Sequence, residues 1–595
     1  MITNHLLPET AFSALARGDG NPAQLKLLHD AQISKHMMLL LALPAAADGG
    51  RGKPAPASGR RGPCAFRAGY ELLTRVQAAS PAAATWLFGL PHLGGWLHDS
   101  LIRLDQGTDI DFGHFACLAA AAAIRGGIGF DLDVPVRDGR IRLPGLGSLH
   151  VPGQDAWIRL RCDGERVQAG TGTENDRRLL VPDDGSAGVV LPQWSGTPVI
   201  RAVAEGAAWH VLLETGDPYL DRYTLPMATD LTEGELENWR RVVEAAWEVL
   251  VRHHRWTAGP VASGVSVIVP LTTSSDTDLV SATNQAASGA IATSWPPNAV
   301  TLAETVVHEF QHGKLCGLMD LVPLIEAGEE RVYAPWRQDP RPASGLLQGI
   351  YAHLGIVRFW QAQRLAETEP DDILRAQVHF ARWGQALDLA IRTLLEAASL
   401  NPDGRRFVTM LQAQARDVMS GTVSADARQI AAEVALDHGL TWQLRHLATD
   451  AAEVKELAAA YRGREPFPAQ TTAGTSIAED TRKVGTTARS RMLSERYLAP
   501  ARCRELLTDG NLALGEADRL FLSDRKTEAV QAYRDQIAGS AGPQPDAWIG
   551  LALALHRLPA TPAQAVFATR LPLLFDVHAC LSGRVDPVDL ADWFG

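Results

Sequence analysis

The run His308-Glu309-Phe310-Gln311-His312 constrains this chain more than any other feature. On a helix, two histidines four apart project from one face and can share a metal ion, with the Glu309 carboxylate beside it. The flanking residues predict that helix. Thr301 and Glu304 are spaced as a capping box, and Leu302, Val306 and Phe310 form an apolar stripe at i, i+4 spacing. His308, His312, Leu315 and Met319 run down an adjacent face, and Pro323 ends the segment. A histidine pair with an intervening glutamate in this setting points to metal binding.

At 595 residues and 46% hydrophobic content, the chain is long and apolar enough for several globular domains. The formal charge of −12 argues against a nucleic-acid partner, because phosphate binding needs a basic face. The only dense basic cluster, Arg51, Lys53, Arg60 and Arg61, falls in a linker. Six cysteines are scattered without CxxC spacing, which suits a reducing compartment. Cys316, four residues after His312, is placed where a ligand could stand, but on an apolar helix it reads first as a structural thiol. The apolar run from His36 to Pro44 begins too late for a signal peptide and is too short to span a bilayer, so it reads as the end of a buried N-terminal helix. No membrane segment is expected, and the default location is the cytoplasm.

The expected fold class is α+β and predominantly helical. Residues 1–150 form an N-terminal, mainly helical region interrupted by a Pro/Gly/Ala/Arg-rich linker at 44–63. Phe130–Val136 and Arg140–Leu143 flank an Arg-Asp-Gly turn and predict a hairpin. Trp157–Arg161, Gly188–Leu191 and Trp209–Glu214 extend the strand patterns, with 151–226 as the β-rich insert region. Residues 227–465 form a zincin-like catalytic domain: an amphipathic helix over 231–253 capped by Thr232 and Glu235, a buried strand at Val265–Val269, a short strand near Ala290, and then the HExxH helix. In that order of elements the strand near Ala290 is the edge strand along the cleft, able to pair with an extended peptide. A polar linker spans 466–490. Residues 491–595 form a C-terminal helical, tetratricopeptide-like region that holds the fold or a protein partner.

Two histidines do not complete a metal site. His353, in Gly349-Ile-Tyr-Ala-His353 on a helix whose core face is Leu346, Ile350, Leu354 and Val357, is the best third donor. Glu326, Glu329 and Glu330 are rivals in a polar loop. Between them, Tyr333-Ala-Pro-Trp-Arg337-Gln-Asp-Pro-Arg341-Pro is a stiff loop whose two arginines suit a carboxylate as well as ordinary solvation.

These segments together resemble the HExxH-type peptide modification proteins of ribosomal peptide natural-product pathways, regarded as 2-oxoglutarate-dependent peptide β-hydroxylases. The carriers are His308-Glu-Phe-Gln-His312-Gly-Lys-Leu315, Asp320-Leu-Val-Pro-Leu324, Tyr333 through Pro342, Gly345 through His353, and Phe359-Trp360. The resemblance spans residues 1 to about 465 and says little about the C-terminal hundred. It implies Fe(II) held by His308, His312 and His353, with 2-oxoglutarate and O2 as co-substrates. It further implies that Arg337 or Arg341 binds the distal carboxylate of 2-oxoglutarate, that Glu309 is a catalytic-site residue that supports the metal ligands or handles a proton rather than serving as the essential base, and that the partner is a precursor peptide hydroxylated on a side chain. A three-histidine set departs from the usual two-histidine, one-carboxylate iron triad and suits Zn(II) equally. The five-residue motif by itself predicts a zinc peptidase with Glu309 as general base. A helical scaffold carrying a vestigial metal site is the third reading.

Overall fold

The computed structural model describes residues 5–49, 61–151, 156–170, 194–220, 225–273, 279–326, 328, 330–397, 399–468, 476–478, 482, 484–485, 487–508, 514–540, 542–582 and 585–595. The expected strand Gly188–Leu191, Glu329, residues 50–60 of the first linker and parts of the second lie outside them. The fold is mostly helical with small sheets, and the chain divides into two compact units, Met1–Pro323 and Leu324–Gly595. The division falls directly after the HExxH helix, inside the span 227–465. Among the described residues no helix is long and apolar enough to cross a membrane.

The first unit opens with α1 (Glu9–Ala16), α2 (Pro22–Gly49), α3 (Arg61–Ala79), α4 (Pro81–Gly89), α5 (Pro91–Gln106) and α6 (Phe112–Arg125). Helix α2 runs through residues 44–49, expected as linker, because the alanines after Pro44 favour continued helix. The His36–Leu43 run therefore lies within α2 rather than at its end, with Leu40 and Leu43 buried and Met38 and Leu41 exposed. In α6 every residue from Gly113 to Ile124 is buried. Its alanines let α3 approach closely: a Cβ at Gly69 would stand 3.3 Å from the Ala116 Cα.

Among the described residues the strands that follow are β1 (Phe130–Val136), β2 (Arg140–Leu143), β3 (Gly147–His150), β4 (Ala156–Cys162), β5 (Val167–Ala169), β6 (Trp194–Gly196), β7 (Val199–Ala204) and β8 (Ala207–Leu213). The expected hairpin is not formed as such. Only Arg137 and Arg140 bridge at the turn; β1 pairs along its whole length with β4, and β2 pairs with β3. Each strand follows its own apolar face, since Phe130, Leu132, Val134 and Val136 are buried in alternation, as are Ile141 and Leu143.

Helices α7 (Glu233–His253) and α8 (Arg255–Gly264) precede β9 (Val267–Leu271), β10 (Ser281–Thr283), β11 (Ala290–Ser294) and the motif helix α9 (Ala299–Met319). The capping box of Thr232 and Glu235 at α7 is present as expected. A five-stranded sheet has the order β10-β11-β9-β8-β7, with β8, β9 and β11 parallel and both outer strands antiparallel. Strands β9 and β11 are buried at every position, as interior parallel strands require. The strand near Ala290 is thus not the edge. The polar segment before it supplies β10, which folds back and takes that place.

The second unit holds β12 (Arg331–Val332), β13 (Arg341–Pro342), α10 (Ala343–Ala366), α11 (Pro370–Glu396), α12 (Pro402–Val418), α13 (Ala425–His446), β14 (Leu447–Ala448), α14 (Ala451–Arg462) and β15 (Ser476–Ile477). It continues through α15 (Ala488–Leu498), α16 (Pro500–Thr508), α17 (Glu516–Leu522), α18 (Lys526–Ala538), α19 (Pro545–His556), α20 (Pro562–Thr569), α21 (Leu571–Cys580) and α22 (Pro587–Phe594). One apolar core runs from Val378 on α11 to Phe594 on α22, so the C-terminal helices share a core with the helices before them. Buried charge ties them further. The Arg489 guanidinium meets Asp437 and Asp518, and Glu433 accepts from both Arg496 and Arg557.

Candidate metal centre

Helix α9 starts one turn earlier than the Thr301–Glu304 pattern suggests. Asn298 is the cap, its side chain accepting from the Thr301 backbone N–H, and Thr301 is already helical. An asparagine side chain reaches the exposed N–H groups of the first turn without a partner glutamate. The apolar stripe is as expected, with Leu302, Val306 and Phe310 buried. Phe310 packs where Gly264 has no side chain; a Cβ there would come within 2.5 Å of the ring. Polar contacts fix the other faces. Lys314 Nζ donates to the carbonyls of Gly18 and Asp19, and Asp320, at the helix C-terminus, accepts from Gln32 and Lys35 of α2.

On this clamped helix the Nε2 atoms of His308 and His312 converge to 3.2 Å, with the rings nearly perpendicular. Two ring nitrogens meet at that separation only around a proton or a metal ion. Donors held at about 2.0–2.1 Å in a tetrahedral site stand roughly 3.3–3.4 Å from each other, so the pair fits adjacent ligands of one ion. Burial, reinforced by His312 and opposed by Glu309, pushes His308 down to about 4, which leaves the imidazole neutral, as ligation requires.

Glu309 is 2% exposed and is turned onto the edge strand. Its Oε1 accepts from the Ser281 hydroxyl and its Oε2 from the Thr283 hydroxyl, each at 2.6 Å, while Oε1 lies 4.0 Å from His308 Nε2. Thr283 Oγ1 also reaches the Glu309 carbonyl at 3.0 Å. Residues 281 and 283 are two apart on a strand and so present both hydroxyls to one side. Sequence reasoning missed them, although the alternation Ser-Ala-Thr was the signal. An open cavity of about 420 Å³ reaches Thr283, Glu309 and Phe310 within the first unit.

His353 stands on α10 in the second unit, and the sequence-derived core face of that helix is buried as expected. Its Nδ1 donates to the Gly349 carbonyl at 2.8 Å, which directs the lone pair of a neutral ring to Nε2, the arrangement usual for a ligand histidine. Trp336 stacks on the imidazole at 4.0 Å and 16°, and Trp383 of α11 meets it edge-on at 5.0 Å. The stack depends on Gly349, where a Cβ would lie 2.5 Å from the Trp336 indole. Among the described residues no group of three or more His, Cys, Asp or Glu side chains is arranged to hold a metal ion. The donors that converge are His308 and His312.

Arg337 and Arg341 both turn onto Asp339, at 3.0 and 3.1 Å, holding its carboxyl below the ordinary range against the opposing effect of burial. The fork anticipated for a ligand is closed on a carboxylate of the same loop. Glu326 and Glu330 are exposed, and Glu330 accepts from Ser399. All six cysteines are thiols, with Cys316 half-buried. No protein-family model matches the chain, and no curated protein matches it.

Proposed function

We propose that the protein is an Fe(II)- and 2-oxoglutarate-dependent oxygenase that β-hydroxylates a side chain of a ribosomally made precursor peptide. The observation that carries a metal-dependent reading is the 3.2 Å convergence of His308 and His312 Nε2. The choice of oxygenase over peptidase is supported by Glu309. A general base for hydrolysis must take a proton from the attacking water, yet both Glu309 oxygens are engaged by hydroxyl donors on β10. In this role Glu309 is a positioning residue that fixes the motif helix to the sheet edge and places negative charge near His308. The resemblance adds His353 as third ligand.

Iron, 2-oxoglutarate and O2 together supply the oxidant; the chain's own task is to orient one C–H bond and exclude bulk water. Among the described residues strand β10 is one of the two edges of its sheet, and it suits an extended peptide added by backbone pairing. The zincin-like character of the sheet and motif helix is part of the same reading, since parallel strands ending in an antiparallel edge beside an HExxH helix serve either chemistry. The C-terminal helices, joined to α11, α13 and α14 by one core, support the second unit.

The test is anaerobic reconstitution with Fe(II), then O2, 2-oxoglutarate and a precursor peptide encoded nearby, comparing wild type with Glu309→Gln. Peptide-stimulated succinate and a product heavier by about 16 Da, one added oxygen atom, with substantial activity retained in Glu309→Gln, are expected. Peptide cleavage with Zn(II) that Glu309→Gln abolishes contradicts the reading and restores Glu309 as the base.

A further inference from the structure

The cavity of about 420 Å³ in the first unit touches one flank of the motif helix and not the other. Glu309, Phe310, Gly313, Lys314 and Gly317 of α9 line it, whereas His308 and His312 do not. At 100° per residue those five positions share a face turned away from the histidine pair. The cavity's size falls in the range of small-molecule sites, about 300–1,000 Å³. Its walls are largely apolar, with Leu25 and Leu28 of α2, Trp86 of α4, Leu90, Leu212 and Phe310 among them.

The charged side chains on these walls are unequal in sign. Arg125, Arg201 and Lys314 stand against Glu309 alone, in a chain whose formal charge is −12. Glu309 has both oxygens engaged by Ser281 and Thr283, and Lys314 Nζ is engaged by the carbonyls of Gly18 and Asp19. Burial pushes the His29 imidazole on the same wall down from its ordinary value, so it is neutral near pH 7. Arg125 is the cation that nothing answers. It ends α6, is half-buried, and lies over the Trp86 ring at 4.8 Å. A cation suits a helix C-terminus, yet other arginines of the first unit each take a carboxylate: Arg103 takes Asp99, Arg137 takes Asp111 and Arg140 takes Asp230. Among the described residues no carboxylate stands within ion-pair distance of Arg125, and burial disfavours its charge without an anion to offset the cost. The indole beneath it is fixed by Gly145, at φ +75°, where a Cβ would stand 3.0 Å from Trp86 and 3.3 Å from Leu90. A guanidinium stacked on an indole is already oriented, so little freedom is lost when its N–H groups grip an oxyanion.

We infer that this cavity is a binding site for an amphipathic anion, a single apolar chain with one oxyanion head group, the head on Arg125 and the chain along the wall of Leu25, Leu28 and Phe310. The site is separate from the histidine pair and does not rest on the oxygenase reading. A carboxylate and a phosphate head share the chemistry that a guanidinium recognises. A bound chain packs on the flank of α9 that carries Glu309, so occupancy should also raise the melting temperature of the first unit.

The experiment titrates the full chain calorimetrically with decanoate, decyl phosphate, decanol and decyltrimethylammonium, each below its micelle concentration. A chelator is present, so that no metal ion holds the head group. One anion per chain is expected, with decanol at least about tenfold weaker, the worth of one charge-assisted contact, and the cationic chain weaker still. The tighter of the two anions identifies the preferred head group. Arg125→Met keeps an apolar stem on Trp86 without the charge and should bring both anions down to the affinity of decanol; Arg125→Lys should lie between. Gly313→Leu, which projects a side chain into the cavity, should weaken anion and decanol alike. Circular dichroism controls for folding, and Arg125→Met decides the matter if Gly313→Leu does not fold. Equal binding of decanoate and decanol to wild type, unchanged anion affinity in Arg125→Met, displacement of decanoate by 2-oxoglutarate, or no saturable binding at all overturns the inference.

Discussion

Each unit contains a helical glutamate almost wholly removed from water, and the two are satisfied in opposite ways. Glu433 of the second unit is 0% exposed and meets two guanidiniums: Arg557 at 2.7 and 2.8 Å and Arg496 at 2.6 Å, with Gln429 at 2.9 Å. Glu309 of the first unit is 2% exposed and meets only the hydroxyls of Ser281 and Thr283, with no Lys or Arg on it among the described residues. A buried carboxylate without a counter-charge is costly, because hydroxyl donors return only part of the lost hydration. Glu433 is therefore a completed structural joint. Glu309 has no such counter-charge among the described side chains, and under the proposed function a metal ion at the adjacent histidine pair would supply it.

The sharpest way to break this comparison is to remove Glu433. Glu433→Ala leaves Arg557, 2% exposed at its side chain, with only the exposed Asp524 carboxylate on one nitrogen, and should cost about 3 kcal/mol. Equilibrium denaturation measures it, and a cost below about 1 kcal/mol, the range of exposed pairs, would show the joint to be incidental. The effect should depend on pH in one direction. Burial raises the Glu433 carboxyl, but Arg557 and Arg496 outweigh it and hold the folded value below the ordinary 4.5. A depressed folded pKa contributes stability fully above the unfolded value and loses it as pH falls through the folded one. The gap between wild type and Glu433→Ala should therefore be widest at neutral pH and close on acidification below 4.5; a gap that widens in acid refutes the assignment.

A smaller effect is expected at Thr283. Thr283→Val keeps the shape and removes a donor from the Glu309 carboxylate, which should cost about 1.5–3 kcal/mol in metal-free protein. The cost should shrink once metal is bound, because the ion then takes part of the charge. Thermal melts with and without metal give both numbers, and an equal cost in the two states would detach Glu309 from the metal centre. Smallest of all is Glu309→Gln, which removes the charge and keeps an acceptor; about 1 kcal/mol or less is expected. A loss as large as that of Glu433→Ala would mean the two glutamates are not different in kind.

Much of this frame is legible in the sequence where periodicity decides it. The α7 capping box, the β1 alternation and the α9 stripe all follow from local spacing. What spacing does not carry is pairing. β1 and β2 face each other across a turn, yet β1 pairs with the more distant β4 and β2 turns onto β3, the strand that follows it. β10 is three residues in a polar stretch, too short to register as a strand, and only its two hydroxyls against Glu309 reveal its place. The cap at Asn298 was masked by a second plausible pattern three residues on. Among site residues, the helical face of His308 and His312 was readable. The fate of Arg337 and Arg341 was not, because their capture by Asp339 depends on how the loop folds.

The central claim is that His308 and His312 bind one metal ion that balances Glu309. The direct measurement is anaerobic titration of purified protein with Fe(II), reading metal retained per chain in wild type, His308→Ala, His312→Ala and Glu309→Gln. The account predicts one tightly held ion in wild type and in Glu309→Gln, and none in either histidine variant. Wild type that retains no metal, or histidine variants that retain it as wild type does, would contradict it.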